Sequence, residues 1–308
     1  MEMQVRETDY RSGLISVDEL DVSGILRLFE CVRKVKEGDR LSGLQGKTMA
    51  SLFFEPSTRT RLSFEVAAHR LGMHVIGLSD PEMTAMKKGE TLSDALRVIS
   101  GYADLIVLRH PLEGAARLAA NVAGVPVINA GDGGHEHPTQ TLVDLFSIYE
   151  RRGSLENMSI GMTGDLKYGR TAHSLALAAA LFGMRIYFIS GQELRMPDHI
   201  CHALRRRGVK FSHHDRFEDV LSKLDVLYVT RIQRERHGDE VAPRYRITLR
   251  KLAKAKPDLM ILHPLPRERE LDLAIDDTKY AHYFTQSENG PHVRQALLSF
   301  VLRGEEEI

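Results

Sequence analysis

The sequence predicts an α/β protein with two doubly wound parallel-sheet domains and an active site in the cleft between them. Its 308 residues exceed the size at which a single core usually keeps growing. Short apolar runs alternate with longer amphipathic stretches, a pattern typical of parallel strands joined by helices. The alternation restarts after Pro138, so a second set of strands and helices follows the first.

Apolar runs and amphipathic periodicity place the individual elements. In the first set, we expect strands at 48–54, 74–78, 105–108 and 127–129, and helices at 60–71, 91–101 and 114–123. In the second set, we expect a helix at 139–151 and strands at 159–162, 185–189, 226–230 and 260–262. The Asn-Gly-Pro sequence at 289–291 predicts a loop before a last helix at 293–303. Ligands of such sheets bind beyond the carboxyl ends of the strands, where the polar motifs of this sequence cluster.

Charge and cysteine content exclude several classes of protein. Lysine plus arginine and aspartate plus glutamate number 42 each, so no global field favours nucleic acid or an anionic membrane. Cys31 and Cys201 lie far apart in helical patterns, which argues against a disulfide framework or a thiolate metal site. The sequence lacks a run of 18 apolar residues and a signal-like start, so we expect a cytoplasmic protein.

Residues 53–61, Phe-Phe-Glu-Pro-Ser-Thr-Arg-Thr-Arg, take the chain from a strand into a helix. The first N–H groups of a helix lack internal partners and carry the positive end of its dipole, so this junction suits an oxyanion. Arg59 and Arg61 lie about 200° apart around a helix, and we assign the anion to Arg59. The alternative is an ordinary amphipathic helix with a Ser or Thr cap and an apolar inner face.

Three further polar clusters lie in the first half. Arg109 follows a strand directly, although a salt-bridged surface arginine is the simpler interpretation. Residues 131–140 combine glycines with two histidines; their spacing does not match common zinc patterns, and His137 suits hydrogen bonding to a carbonyl. Lys87 and Lys88 lie in a loop before a helix, where lysines are usually only solvated.

The second half places further arginines after strands. Arg170 and Arg231 suit two carboxylates of one small substrate, each as a bidentate partner. A dinucleotide site at 164–171 is the competing interpretation, but the glycines do not keep the required spacing. Residues 263–267, His-Pro-Leu-Pro-Arg, predict a rigid turn whose main-chain carbonyls can accept from an amide or amine.

Together these motifs resemble the carbamoyltransferase family over nearly the entire chain. The motifs at 53–61 and 137–140 carry the resemblance to the superfamily. Glu55-Pro56, the turn at 263–266 and the arginine-rich stretch at 230–236 follow the aspartate-specific pattern, whereas ornithine-specific members usually have a lysine and a His-Cys-Leu-Pro turn. Thr84 lies in the loop that also carries Lys87 and Lys88, and it stands where the family usually has a serine. This difference affects the expected rate at which that loop closes.

The resemblance implies the role of each site residue. Residues 1–138 and 291–308 would form the carbamoyl-phosphate-binding domain, and 139–290 the aspartate-binding domain. The phosphate of carbamoyl phosphate would be bound by Ser57, Thr58, Arg59, Thr60 and Arg109, with Lys88 from a neighbouring subunit. The carbamoyl oxygen would be bound by Thr60, Arg109 and His137, and the carbamoyl amide by Gln140 and the main chain of Leu265 and Pro266. The two carboxylates of L-aspartate would be bound by Lys88, Arg170, Arg231 and Gln233.

The implied reaction is carbamoyl transfer to the aspartate amine, the second step of de novo pyrimidine biosynthesis, without metal or cofactor. The implied assembly is a homotrimer with sites shared between subunits, to which separate regulatory chains can add, and neither nucleic acid nor membrane is a partner. Two alternatives stay open. One is a noncatalytic relative retained as a scaffold or metabolite binder, and the other is a carbamoyltransferase with another amine acceptor, such as ornithine or N-acetylornithine.

Overall fold

The computed structural model describes residues 12–39, 41, 43–78, 89–232 and 246–304. The chain divides into two compact units. The first holds the residues up to Leu142 and those from Asn289 onward, and the second holds Val143–Glu288. The substrate that the sequence analysis assigned to each domain stays a prediction.

The first unit contains a parallel sheet covered by helices. Its described strands are β1 (Gly13–Leu14), β2 (Thr48–Phe53), β3 (His74–Leu78), β4 (Leu105–His110) and β5 (Val127–Asp132). They lie in the order β1-β5-β4-β2-β3. The helices are α1 (Val22–Glu37), α2 (Thr58–Arg70), α3 (Leu92–Ser100) and α4 (Ala115–Val122). Every residue of β4 and β5 is buried, as expected for central strands of a parallel sheet.

The second unit repeats this architecture. Its described strands are β6 (Ser159–Thr163), β7 (Arg185–Ile189), β8 (Phe211–His214), β9 (Val226–Val229) and β10 (Met260–Leu262). They form a parallel sheet in the order β10-β9-β6-β7-β8. The α-helices α6 (Arg170–Ala179) and α7 (Asp198–Arg206) connect successive strands. The predicted α/β class with two parallel sheets is therefore confirmed.

Two long helices each contain one of the boundaries that divide the sequence into units. They are α5 (Pro138–Arg152) and α8 (Tyr283–Arg303). The loop predicted at 289–291 is wrong, because α8 continues through Pro291 and begins ten residues before the predicted start. Packing overrides local propensity here: Asn289 is fully buried and accepts a hydrogen bond from Lys36 Nζ at 2.7 Å.

Both cysteines lie in helices, as predicted, and both are free and buried. Burial raises the pKa of the Cys31 thiol to about 11, so this thiol is protonated and unreactive at neutral pH. None of the helices in the described ranges is long and apolar enough to cross a bilayer.

Candidate functional site

The start of α2 is a helix N-terminus without a side-chain cap. Ser57 occupies the N-cap position, but its side chain makes no capping hydrogen bond to the helix. Thr60 is buried in the first turn, and Arg59 is exposed and forms no ion pair with a described residue. The inner face packs as the simpler helix interpretation predicted, with Phe64 fully buried. The helix is therefore amphipathic, yet its first N–H groups receive no side-chain cap.

Arg61 has a different environment from Arg59. Its Nε lies 2.7 Å from Glu65 Oε1 one turn later, and the same oxygen accepts a hydrogen bond from Ser51 Oγ at 3.2 Å. This pairing leaves Arg59 as the arginine of the motif that can face a ligand, and it supports the sequence-based choice between the two.

Arg109 lies at the end of β4, beside the end of β2. Phe53 and Arg109 are register partners, and the Phe54 N–H donates to the Arg109 carbonyl at 2.9 Å. The Arg109 side chain is buried, with Nη2 2.9 Å from Glu55 Oε2 and Nη1 donating to the Ala130 carbonyl at 3.2 Å. The simpler interpretation, a salt-bridged surface arginine, is therefore wrong about exposure, although the ion pair is present. The carboxyl ends of β2, β4 and β5 converge on this guanidinium.

The loop after β5 is held by its own acidic residues. Glu136 accepts from Ser16 Oγ at 2.8 Å and from the Val17 N–H at 2.7 Å. Asp132 accepts from the Gly114 N–H at 3.0 Å and from Asn129 Nδ2 at 3.1 Å. Burial alone raises the pKa of the Asp132 carboxyl, but its hydrogen bonds outweigh burial and the net shift is downward. These carboxylates fix the loop backbone.

His137 and Gln140 lie at the first turn of α5, directly after that loop. His137 is buried, and its carbonyl accepts from the N–H groups of Gln140 and Thr141 at 3.0 and 3.2 Å. Its Nδ1 lies 3.4 Å from Thr139 Oγ1. Because β5 neighbours β4 in the sheet, the loop that carries His137 leaves the same edge as Arg109.

In the second unit, predicted residues follow three adjacent strands. Arg170 is the first residue of α6, which follows β6, and Arg231 follows β9. Arg231 Nη1 lies 3.0 Å from Glu268 Oε1, and both side chains are about one-third exposed. Gly164 allows the two strand ends to approach each other, because a Cβ there would lie 2.1 Å from the Thr230 carbonyl oxygen.

The predicted rigid turn follows β10. Leu265 has a φ of +56°, in the left-handed region, and Pro266 is exposed. His263 Nδ1 accepts from the Leu265 N–H at 2.8 Å, and His263 Nε2 lies 2.8 Å from Glu270 Oε1. Sequence reasoning missed the partner glutamates at 55, 268 and 270, because no spacing pattern in the sequence connects them to Arg109, Arg231 and His263.

The described site residues form two groups, one in each unit. The first group gathers Ser57, Thr58, Arg59, Thr60, Arg109, His137 and Gln140 at the ends of β2, β4 and β5. The second group gathers Arg170, Arg231, Leu265 and Pro266 at the ends of β6, β9 and β10. Lys88, Gln233 and the loop residue Thr84 lie outside the described residues.

Comparison with known proteins identifies the family. Residues 13–150 match the aspartate/ornithine carbamoyltransferase carbamoyl-P binding domain, and residues 156–301 match the Asp/Orn binding domain of the same family. The aspartate carbamoyltransferase catalytic subunit of Thermococcus kodakarensis is 52% identical over 288 residues, covering 92% of this chain and 93% of that protein. The corresponding subunit of Chromobacterium violaceum is 48% identical and covers 95% of this chain and 98% of that protein.

Solved structures agree with these relatives. The catalytic subunit of M. jannaschii aspartate transcarbamoylase has a TM-score of 0.88 and 46% identity, covering 96% of this chain and 99% of that one. Trypanosoma cruzi aspartate transcarbamoylase, solved with N-(phosphonacetyl)-L-aspartic acid, has a TM-score of 0.87 and 35% identity, covering 94% and 95%. The family resemblance inferred from the motifs is confirmed, and the chain belongs to the aspartate/ornithine carbamoyltransferase family.

Proposed function

We propose that the chain transfers the carbamoyl group of carbamoyl phosphate to the amine of L-aspartate, giving N-carbamoyl-L-aspartate and phosphate. The observation that carries this proposal is the uncapped start of α2 beside the buried guanidinium of Arg109. An uncapped helix start and a forked cation together suit a phosphate ester. Relatives solved with carbamoyl phosphate, with aspartate, and with carbamoyl aspartate and phosphate support the assignment.

The first unit supplies most of the groups proposed for carbamoyl phosphate, and the turn after β10 in the second unit supplies the rest. The phosphate accepts from the hydroxyls and N–H groups at the start of α2 and from the guanidinium groups of Arg59 and Arg109. The carbamoyl oxygen accepts from Thr60, Arg109 and His137. Thr60 and His137 are buried, so their hydrogen bonds operate where water competes little. The carbamoyl amide donates to Gln140 and to the main-chain carbonyls of Leu265 and Pro266.

The dicarboxylic substrate requires a second set of cations. Arg170 and Arg231, with Gln233 and Lys88, bind its two carboxylates in this proposal. Arg231 already pairs with the Glu268 carboxylate at 3.0 Å, which indicates that its guanidinium has a geometry suited to a carboxylate partner. An ornithine side chain would instead bring a cation to these arginines, and the charge pattern therefore favours aspartate as the acceptor.

The chemistry follows from these contacts. The neutral amine of aspartate attacks the carbonyl carbon, and the carbonyl oxygen becomes an oxyanion in a tetrahedral intermediate. The C–O bond to phosphate then breaks, and the departing phosphate takes the amine proton, so no side chain is an obligate base. Thr60, Arg109 and His137 stabilise the oxyanion; removal of one such donor typically costs about 10²–10³ in rate. Holding both substrates in reacting geometry supplies further acceleration.

Assembly into a homotrimer with a shared site is part of the proposal. The edge strand β3 is largely exposed, although strands of parallel sheets are usually covered on both faces. Leu62 and Val66 are also exposed, one turn apart on the neighbouring α2. These apolar positions support an interface with another copy of the chain beside the α2 site, with Lys88 reaching that site from the neighbouring subunit. The proposal includes a cytoplasmic location, and it is compatible with separate regulatory chains that form a larger assembly.

The test is an assay for N-carbamoyl-L-aspartate with carbamoyl phosphate and aspartate. We expect product from wild type with aspartate, and none with ornithine or N-acetylornithine in its place. Arg59→Ala and Lys88→Ala chains should each be inactive, and mixing them should restore activity in hybrid oligomers. A folded wild type without product would favour the noncatalytic scaffold, and mixtures that recover no activity would contradict the shared site.

A further inference from the structure

His263 is a buried histidine with a hydrogen bond on each ring nitrogen and on its main chain. It follows β10 directly and is 1% exposed. The Leu265 N–H donates to Nδ1 at 2.8 Å, and Nε2 lies 2.8 Å from Glu270 Oε1. The His263 N–H itself donates to Gln286 Oε1 at 2.8 Å. The ring is therefore fixed in position and orientation.

The partners also fix the tautomer. A backbone N–H can only donate, so Nδ1 is the acceptor and the ring proton lies on Nε2. That proton is donated to Glu270, whose carboxylate is nearly fully buried. Burial raises the pKa of the Glu270 carboxyl, but its interactions with His263 and with backbone N–H groups together outweigh burial, and the net downward shift keeps this group ionised at neutral pH. A carboxylate that orients a histidine through Nε2–H leaves Nδ1 as a directed acceptor.

His263 accepts a hydrogen bond from the turn after β10, and this turn carries the two main-chain carbonyls proposed to bind substrate, those of Leu265 and Pro266. Leu265 has a φ of +56°, in the left-handed region that bulky residues rarely occupy. Such a conformation persists when its surroundings impose it, and such residues cluster at binding sites. The hydrogen bond from the Leu265 N–H to His263 restrains the Pro264–Leu265 peptide, which directly precedes the residue that carries the first acceptor carbonyl.

We propose that His263 is a positioning residue for carbamoyl phosphate: it orients the Leu265–Pro266 carbonyls toward the carbamoyl amide, and Glu270 fixes its ring. The inference rests on the proposed function and adds a residue that touches no substrate. It predicts that the loss of His263 Nδ1 weakens recognition of the amide and leaves recognition of the phosphate intact. A histidine that only stabilised the core would affect both equally.

The experiment compares carbamoyl phosphate with acetyl phosphate, in which a methyl group replaces the amide. His263→Gln places its amide near the former Nε2 and lacks an acceptor for the Leu265 N–H, whereas His263→Asn places an oxygen near the former Nδ1. We expect His263→Gln to raise the KM for carbamoyl phosphate about 10- to 100-fold, as for a lost hydrogen bond to a bound substrate. The inhibition constant of acetyl phosphate should change by less than about 3-fold, and His263→Asn should recover most of the lost affinity.

Two controls keep the outcome decisive. His282→Gln changes a half-buried histidine in the same unit, outside the turn, and should leave both constants unchanged. If His263→Gln does not fold, Glu270→Asp withdraws the carboxylate from Nε2 by one methylene and should produce the same selective loss. Glu270→Gln retains an acceptor oxygen and should not.

Equal weakening of both acyl phosphates, or no change in either, would overturn the positioning role. That result is distinct from a failure of the proposed function, in which wild type itself makes no N-carbamoyl-L-aspartate.

Discussion

Arg109 and Glu55 form an ion pair where β4 ends, with Arg109 Nη2 2.9 Å from Glu55 Oε2 and the arginine residue only 8% exposed. The carboxylate compensates a cation that burial would otherwise destabilise. An anionic substrate that binds Arg109 must share the guanidinium with Glu55 or displace it. If Arg109 binds phosphate as we propose, the strength of this ion pair contributes to the affinity for phosphate.

Glu55→Gln should lower the melting temperature and enlarge the increase in melting temperature that inorganic phosphate produces. Removal of the carboxylate charge leaves phosphate with less competition for Arg109, and a ligand stabilises the fold in proportion to its affinity. Differential scanning fluorimetry across a phosphate titration measures both effects. Glu65→Gln is the matched control, since Glu65 pairs with Arg61, and its phosphate-dependent increase should equal that of wild type. A smaller increase in Glu55→Gln than in wild type would contradict the competition.

Arg59→Ala and Arg61→Ala should differ sharply in their effect on activity, although the two residues lie in one motif. Arg59 forms no ion pair with a described residue, and its loss should lower kcat/KM for carbamoyl phosphate by at least about 10². Arg61 pairs with Glu65 one turn away, so its loss should cost about 0.5 kcal/mol of stability. Steady-state kinetics and urea unfolding test the pair. Equal losses of activity would show that the assignment of the anion to Arg59 is wrong.

Arg231→Ala should raise the KM for aspartate about 10- to 100-fold, because a charge-assisted hydrogen bond to a carboxylate is lost. The KM for carbamoyl phosphate should change little. Glu268→Gln removes a carboxylate that competes for the same guanidinium, and should lower the KM for aspartate a few fold. Since both side chains are about one-third exposed, this pair contributes under about 1 kcal/mol to stability. A higher KM in Glu268→Gln would mean that the glutamate helps to build the site.

His110 should make the fold less stable as the pH falls below neutrality. Burial lowers its pKa below the unfolded value near 6.5, although the charges of Asp132 and Glu55 oppose the shift. The unfolded chain therefore binds a proton that the folded chain resists, and stability decreases as the pH falls through 6.5. His110→Asn, which can still accept from the Leu112 N–H, should flatten the pH dependence of the free energy of unfolding between about pH 7 and 5.

His135 provides a comparison of opposite sign. Its hydrogen bond to Asp132 raises its pKa, so its contribution to stability is present below 6.5 and is lost as the pH rises through the folded pKa. His135→Asn should therefore steepen the fall in stability toward low pH. If the free energy of unfolding of His110→Asn and of wild type depended on pH in the same way, the pH dependence could not be assigned to His110.

The fold was predictable where burial is continuous. The apolar runs at 185–189 and 260–262 match β7 and β10 residue for residue, because parallel strands covered on both faces are apolar nearly throughout. The run at 74–78 also matches β3, although this edge strand is largely exposed. β8, Phe211–His214, was missed since two of its four residues are histidines at a half-buried edge. The loop signal at 289–291 failed because a buried Asn289 and long-range packing outweigh the preference of Gly and Pro against helix.

The candidate site was predictable from the sequence as a set of residues at strand ends. The side chains with which these residues form ion pairs and hydrogen bonds were not predictable. Sequence position alone places Arg109 after an apolar run, and the sheet order then brings it beside Phe53. Nothing in the sequence pairs Arg109 with Glu55 or His263 with Glu270, because these contacts depend on side-chain geometry after folding. Burial of Arg109 was missed for the same reason, since arginines in general are seldom so enclosed.

The start of α2 lacks a side-chain cap, so a bound phosphate completes that helix end as a capping residue would. In the proposed reaction, the phosphate product carries the same kind of oxygens as the substrate, and before its release it would occupy the same position with the same effect. Amide hydrogen exchange in the first turn should therefore slow in either bound state.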